Sequence, residues 1–247
     1  MSGAGRDREA RYSRARLVLD VVSLLRLAKR IYTYRELAAA TGLPAPLLSR
    51  YITGRSLPSP ERAARILSGL WRLVDPRHAL AMRIAETGGL VDTSIVLTDP
   101  LYLSVAATFF SNEFADRNIT KILVPEASGL PLATALSISM GVPFVVARRG
   151  EHKLQGEVLC SSSEPRFCVP AGSVGRRDRV LVVDDIVETG KTLRALREIV
   201  EASEAKIVGV AALVVIGEEW KAESGIDEVT ALVSLTKPSA RARAPSI

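Results

Sequence analysis

One stretch limits this chain more than any other: Val180-Leu-Val-Val-Asp-Asp-Ile-Val-Glu-Thr-Gly-Lys-Thr192. Four aliphatic residues in a row suit a central parallel strand covered on both faces. The Thr-Gly-Lys-Thr that follows opens a helix whose first amides have no intrahelical partner, and those amides, backed by the helix dipole, attract a phosphate. Asp184 and Asp185 fall at the carboxyl end of the strand, where open α/β sheets bind ligands, and carboxylates accept hydrogen bonds from vicinal sugar hydroxyls. An acidic pair beside a phosphate turn suits a sugar 5-phosphate better than a nucleoside triphosphate. The triphosphate-loop spacing Gly-x-x-x-x-Gly-Lys-Thr also fails, because position 185 is not glycine. A buried strand ending in a solvated turn accounts for the aliphatics but leaves two charges at the strand end without a reason.

The chain on either side alternates in the same manner. After Gly88-Gly89 it reads as a strand over Leu90 to Leu97, a helix from Pro100 to about Arg117, a strand Lys121 to Val124, a helix Gly129 to Met140 and a strand Pro143 to Ala147. An irregular loop of about twenty residues precedes the central strand and helix, and strands over Lys206 to Ile216 and Val229 to Leu235 close the series. Strands alternating with helices predict a parallel sheet flanked by helices, so the fold class is α/β.

The amino-terminal third differs in charge and rhythm. Residues 1–87 hold 16 Lys+Arg against 7 Asp+Glu, and the rest of the chain holds 17 against 20, so an overall +6 conceals a strongly basic front. Excess positive charge confined to one third of a chain suits a polyanion. Leu17, Val18, Val21, Leu24, Leu25 and Ala28 recur at helical spacing. Thr33-Tyr-Arg-Glu36 is a capping box that starts a second helix at Tyr34, which runs to Gly42 as a left-handed turn residue. Pro44 and Pro46 open a third helix with Leu47, Leu48 and Tyr51 or Ile52 inward, Ala45, Ser49, Arg50 and Thr53 outward, and Gly54 at its end. Ser59-Pro60 starts a fourth, whose buried stripe is expected from Ala63, Ala64, Ile66 and Leu67. This all-α region, continued by a helical connection over Trp71 to Thr87, predicts a domain at 1–87, a second at 88–236 and a tail at 237–247.

Two resemblances follow from these residues. Tyr34 to Leu67 resembles the helix-turn-helix of phage-repressor-like regulators, through Leu37-Ala38-x-x-x-Gly42 and Leu48-Ser-Arg-Tyr-Ile-x-Gly54-x-x-x-Pro58. That resemblance implies a third helix in the major groove of double-stranded DNA, with Ala45, Ser49, Arg50 and Thr53 at its surface and Arg55 on phosphate. Val180 to Thr192 resembles the phosphoribosyl-pyrophosphate signature of the type I phosphoribosyltransferases, closest to the archaeal hypoxanthine-type and adenine enzymes. The likeness extends over Leu90 to about Glu218. It implies that Asp184 and Asp185 take the ribose hydroxyls, and that Val187, Glu188, Thr189, Gly190, Lys191 and Thr192 take the 5-phosphate. It also implies a pyrophosphate loop at Glu126, Ala127, Ser128 and Gly129, with Arg148 or Lys153 as the basic residue. Glu151 to Phe167 stands at the family's mobile hood, where Glu164 is the candidate general acid or base. The hood lacks the tyrosine pattern of the purine enzymes. Magnesium is implied as the companion of the diphosphate rather than as a direct protein site.

Cys160 and Cys168 make neither a disulfide framework nor a metal site by spacing; they stand either as separate thiols or as a pair across a hairpin. With 47% hydrophobic residues and no apolar run long enough to span a bilayer, the chain reads as a globular, cytoplasmic protein. The leading expectation is a dimeric or higher oligomeric transcription regulator of purine nucleotide metabolism that senses phosphoribosyl pyrophosphate or a nucleotide. The alternative is an active purine phosphoribosyltransferase making a nucleoside monophosphate. An RNA-binding reading is disfavoured by the scarcity of aromatics in the basic region.

Overall fold

The computed structural model describes residues 3–150 and 154–237. The chain divides into two compact units, residues 1–79 with 99–105, and residues 80–98 with 106–247.

The first unit is all-helical. Helix α1 spans Gly3–Ala28, α2 Tyr34–Thr41, α3 Ala45–Ile52 and α4 Pro60–Leu73. The capping box forms as its sequence requires: the Thr33 hydroxyl accepts from the Glu36 amide, and Glu36 accepts from the Thr33 amide at 2.7 Å. Gly42 ends α2 in the left-handed region at φ 66°. Helix α3 ends at Thr53 rather than Gly54, which follows at φ 75°. Val21, Leu25, Leu37, Leu48, Tyr51, Ile66 and Leu70 form one core. Leu101 and Val105, from the start of α7 (Pro100–Glu113), join it.

The expected buried stripe of α4 needs correction. Ala64 is exposed and Leu67 only half-buried, whereas Gly69 and Leu70 are buried. The reason is contact distance: a Cβ on Gly69 would stand 2.5 Å from the Ala40 carbonyl oxygen and 2.8 Å from the Thr41 Cα. Only glycine lets α4 approach the end of α2 so closely.

The second unit is a seven-stranded sheet in the order β3-β4-β2-β1-β5-β6-β7, built from β1 Lys121–Pro125, β2 Phe144–Arg149, β3 Val158–Cys160, β4 Phe167–Pro170, β5 Arg179–Val187, β6 Lys206–Ile216 and β7 Thr230–Leu235. β2, β1, β5, β6 and β7 run parallel. β4 is antiparallel to both β2 and β3. The four aliphatics Val180 to Val183 are buried, as a central strand demands. Helices α8 (Leu130–Met140) and α9 (Lys191–Ala202) pack on the sheet, and α10 (Glu219–Ser224) packs on α9.

Two expectations fail here. Leu90 to Leu97 is not a strand: Asp92 Oδ1 accepts the Ser94 amide at 2.9 Å, and the Thr93 carbonyl accepts the amides of Val96 and Leu97, starting the short helix α6 (Ser94–Thr98). A short apolar run fits a buried turn of helix as well as a strand, and the aspartate before it decides. The long loop before β5 is also not irregular. It contains the β3-β4 hairpin, with Cys160 directly opposite Cys168 and joined to it by a disulfide, so the pairing alternative holds. Helix α5 (Pro76–Glu86) begins after a break at Val74, and the division between the units falls within it, after Ala79. The glycine pair expected as the boundary lies in the second unit. Among the described residues no helix is long and apolar enough to cross a membrane.

Candidate ligand and nucleic-acid sites

The parallel pairing of β1 and β5 brings the segments after both strands to one end of the sheet, and the residues there touch. Asp184 and Asp185 are 6% and 8% exposed, an uncommon depth for two adjacent acids. Each oxygen of Asp185 accepts a hydroxyl: Ser128 Oγ at 2.7 Å and Thr93 Oγ1 at 3.0 Å. The Asp185 amide donates to Asp184 Oδ1 at 2.9 Å. A Cβ on Gly129 would lie 3.3 Å from the Asp184 Cα, so the 126–129 loop rests directly on the strand that carries the acids. Burial, and then the neighbouring charge of Asp185, hold the Asp184 carboxyl well above the ordinary range.

In the turn expected to take a 5-phosphate, Gly190 adopts φ 81° and caps α9 without a side-chain hydrogen bond of its own, and helix geometry leaves the first-turn amides without intrahelical partners. Glu188, Thr189 and Lys191 are exposed, Thr192 is half-buried and Val187 is buried. The Thr189 hydroxyl sits 3.5 Å from the Lys191 amide. At the loop expected to meet a diphosphate, Arg148 Nη1 pairs with Glu126 Oε2 at 3.3 Å. The peptide between Glu126 and Ala127 is cis. Arg149 instead lies over the Phe167 ring, 5.8 Å from its centroid, which leaves Arg148 as the arginine directed to the loop. Lys153 lies outside the described residues.

Glu164 stands apart from this group. It is exposed, precedes Pro165 in the β3-β4 turn, and accepts from the Arg166 amide at 3.1 Å. The turn is fastened to α9 instead: Glu198 accepts from the Ser162 amide at 2.8 Å, the Ser162 hydroxyl at 3.0 Å and the Ser163 amide at 3.0 Å. Trp220 is 4% exposed, and its indole N–H donates to the Gly217 carbonyl.

Two adjacent carboxylates without a third acidic, histidine or cysteine partner among the described residues suit magnesium, which keeps water and ligand oxygens rather than a protein cage. The residues present fit that ion only as a companion of a polyanionic ligand.

In the helical unit, Arg50 and Arg55 are exposed, while Ala45 and Ser49 are half-buried on the outer side of α3. Thr53 is exposed, but its hydroxyl bonds back to the Ser49 carbonyl at 2.8 Å, which reduces its use as a donor to a base. Much of the basic charge has structural work. Arg26 donates to the Ile52 carbonyl, Arg65 to the Gly42 carbonyl and Arg72 to the Ala40 carbonyl. Each satisfies a carbonyl at a helix C-terminus, where a cation is also favoured by the dipole. Sequence reading missed these roles, and it missed Thr93 and Glu198, because each bond joins residues far apart in the chain.

The model of the phosphoribosyl transferase domain matches residues 93–237, and a helix-turn-helix model matches residues 23–70. The chain is 32% identical over 133 residues to a hypoxanthine/guanine phosphoribosyltransferase of Methanotorris igneus, covering 53% of this chain and 73% of that one. It is 38% identical over 106 residues to the enzyme of the same name from Methanohalophilus mahii, covering 42% of this chain and 54% of the relative, about half its length. Among solved structures, adenine phosphoribosyltransferase from Thermoanaerobacter pseudethanolicus superposes with a TM-score of 0.53 at 25% identity, over 59% of this chain and 87% of that one. With the signature strand, its buried acids and the matched model covering more than half its length, this chain belongs to the phosphoribosyl transferase domain family and carries a helix-turn-helix in front of that domain.

Proposed function

We propose that this protein is a cytoplasmic transcription regulator of purine nucleotide metabolism that binds phosphoribosyl pyrophosphate, or a nucleotide sharing its ribose 5-phosphate, and responds by changing its affinity for DNA. The observation that carries the reading is the presence in one chain of a helix-turn-helix with exposed arginines and a buried acidic pair beside the N-terminus of α9. Asp184 and Asp185 receive the ribose hydroxyls, and the turn Val187 to Thr192 receives the 5-phosphate. Glu126 to Gly129 and Arg148 meet the diphosphate, with Lys153 as a second cation. Magnesium, when bound with the ligand, neutralises diphosphate charge. Ala45, Ser49 and Arg50 meet base edges, while Thr53 and Arg55 flank them. A homodimer spaces two recognition helices about 34 Å apart, one turn of DNA, and a ligand that prefers one spacing alters DNA affinity by linkage.

Calorimetric titration with phosphoribosyl pyrophosphate and magnesium tests the pocket: wild type gives binding heat and Asp184→Asn/Asp185→Asn gives none. Equal affinity in both proteins overturns the assignment. Titration on the protein's own upstream DNA at several salt concentrations tests the other half, and the absence of any preference over random duplex refutes the regulator.

The similarity to archaeal hypoxanthine/guanine phosphoribosyltransferases favours one second reading, a purine phosphoribosyltransferase in which a base nitrogen displaces pyrophosphate from the anomeric carbon. Glu164, held in its own turn, lends that reading little support as an acid or base. Robust pyrophosphate release with adenine, hypoxanthine, guanine or xanthine would establish it.

A further inference from the structure

Thr93 belongs to neither the signature nor the 126–129 loop, yet it is 6% exposed and its hydroxyl donates to Asp185 Oδ2 at 3.0 Å. The preceding residue, Asp92, accepts from Arg83 Nε at 3.1 Å through Oδ2 and from the Ser94 amide through Oδ1. Arg83 lies on α5 and pairs also with Glu86 at 3.3 Å. The segment between these bonds has little freedom, since the Thr93 carbonyl takes two amides of α6 and Val96 and Leu97 are buried. Two neighbouring residues therefore hold, on one side, an acid of the ligand site and, on the other, the helix within which the two compact units divide.

We propose that Thr93 is a positioning residue for Asp185, and that the Thr93–Asp92–Arg83 chain of bonds couples occupancy of the acidic site to α5. The inference rests on the sugar-phosphate reading above. A carboxylate whose two oxygens are each engaged by a hydroxyl holds one rotamer, and sugar hydroxyls can add to the remaining lone pairs without displacing either. A ligand gripping Asp185 therefore tightens Thr93 and the residue beside it. Linkage makes the effect reciprocal: whatever orders α5 favours the ligand.

Hydrogen exchange of the full chain, with and without saturating phosphoribosyl pyrophosphate and magnesium, reads the coupling. In wild type the amides of 80–98 slow on ligand addition. Thr93→Val weakens ligand binding about tenfold, the worth of one hydrogen bond to a carboxylate, and Thr93→Ser restores it. Arg83→Gln keeps ligand affinity within about threefold but loses the slowing across α5. Identical exchange of α5 in free and bound wild type overturns the coupling, and Thr93→Val with wild-type affinity overturns the positioning role. If Thr93→Val fails to fold, Thr93→Ala, which removes the same hydroxyl with less bulk, takes its place, and the wild-type exchange still decides the coupling. Absence of binding heat in wild type removes the sugar-phosphate reading and this inference together, whereas heat without an exchange response removes this inference alone.

Discussion

The carbonyl oxygen of Trp220 lies 2.6 Å from the point where a Cβ on Gly190 would stand, and the Trp220 Cα lies 2.7 Å from it. Gly190 also sits at φ 81°. The turn before α9 is thus shaped from behind by the backbone of α10, and Gly190 is required twice, by its dihedral and by its neighbour. Gly190→Ala should cost about 1–2 kcal/mol for the left-handed backbone and a further 1–3 kcal/mol or so for overpacking. Urea unfolding measures it, and a loss below about 0.5 kcal/mol, the range of ordinary surface changes, would mean that the turn is not held against α10.

Asp184 gives the chain a characteristic pH dependence. Its carboxyl is pushed up by burial and by Asp185, so between the unfolded and the folded pKa the native state holds a proton that the unfolded state has released. That contribution to stability is complete below the unfolded value and is lost as pH rises through the folded one. Asp184→Asn removes the penalty and can still accept the Asp185 amide. Its melting temperature should exceed wild type by a few degrees at pH 7 to 8, each kcal/mol being worth roughly 2–4 °C at this size, and the advantage should vanish near pH 3.5, below the ordinary Asp pKa of about 3.9. Thermal melts at both pH values decide it; a variant no more stable at pH 8 than wild type contradicts a carboxyl pushed up by burial and by Asp185.

These two residues also show what was legible in sequence. The strand, the acids and the turn stand within thirteen consecutive positions, so local pattern alone placed β5, α9 and Gly190. The helical unit was legible for the same reason: caps at Thr33 and Ser59 and the left-handed Gly42 are short-range signals. What escaped was set at long range. Thr93 reaches Asp185 across 92 positions and Glu198 reaches Ser162 across 36, and no periodicity announces either bond. The β3-β4 hairpin entered only as one alternative for Cys160 and Cys168, because strands of three and four residues are too short to show alternation. The buried face of α4 was misjudged because Gly69, chosen for backbone approach to Ala40, leaves no apolar mark in the sequence.

The basic residues of the helical unit should separate into two groups. Arg55, exposed and without an internal bond among the described residues, is expected to act on phosphate, so Arg55→Ala should weaken binding to all duplexes and reduce the salt slope by about one. Arg50→Ala should cost about 1–3 kcal/mol on the cognate site and less on random DNA. Arg65→Gln and Arg72→Gln remove bonds to the carbonyls of Gly42 and Ala40, so they should lower stability by about 1 kcal/mol and leave the salt slope unchanged. Fluorescence anisotropy on labelled duplex at several salt concentrations, beside thermal melts, tests the division. A salt slope that falls equally for all four variants would show that the cap arginines also face the DNA.

The hairpin beside β2 is fastened twice at its turn end. Cys160 and Cys168 join its strands, and Glu198 on α9 collects three hydrogen bonds from its turn. The disulfide closes a loop with a sequence separation of 8. Chain-entropy reasoning for a loop of that length gives about 2.5 kcal/mol, or roughly 5–10 °C of melting temperature at this size. Reductant should therefore lower the wild-type melt by that amount and leave Cys160→Ser/Cys168→Ser, already lowered, unmoved. Although burial opposes it, the hydrogen bonds from Ser162 and Ser163 hold the Glu198 carboxyl below its ordinary range. Its contribution is present above the unfolded pKa and is lost as pH falls through the folded one. Glu198→Gln should accordingly destabilise the chain at pH 7 and converge on wild type in acid. A wild-type melt indifferent to reductant would show that the β4-β2 pairing and the Glu198 bonds alone hold the hairpin in place.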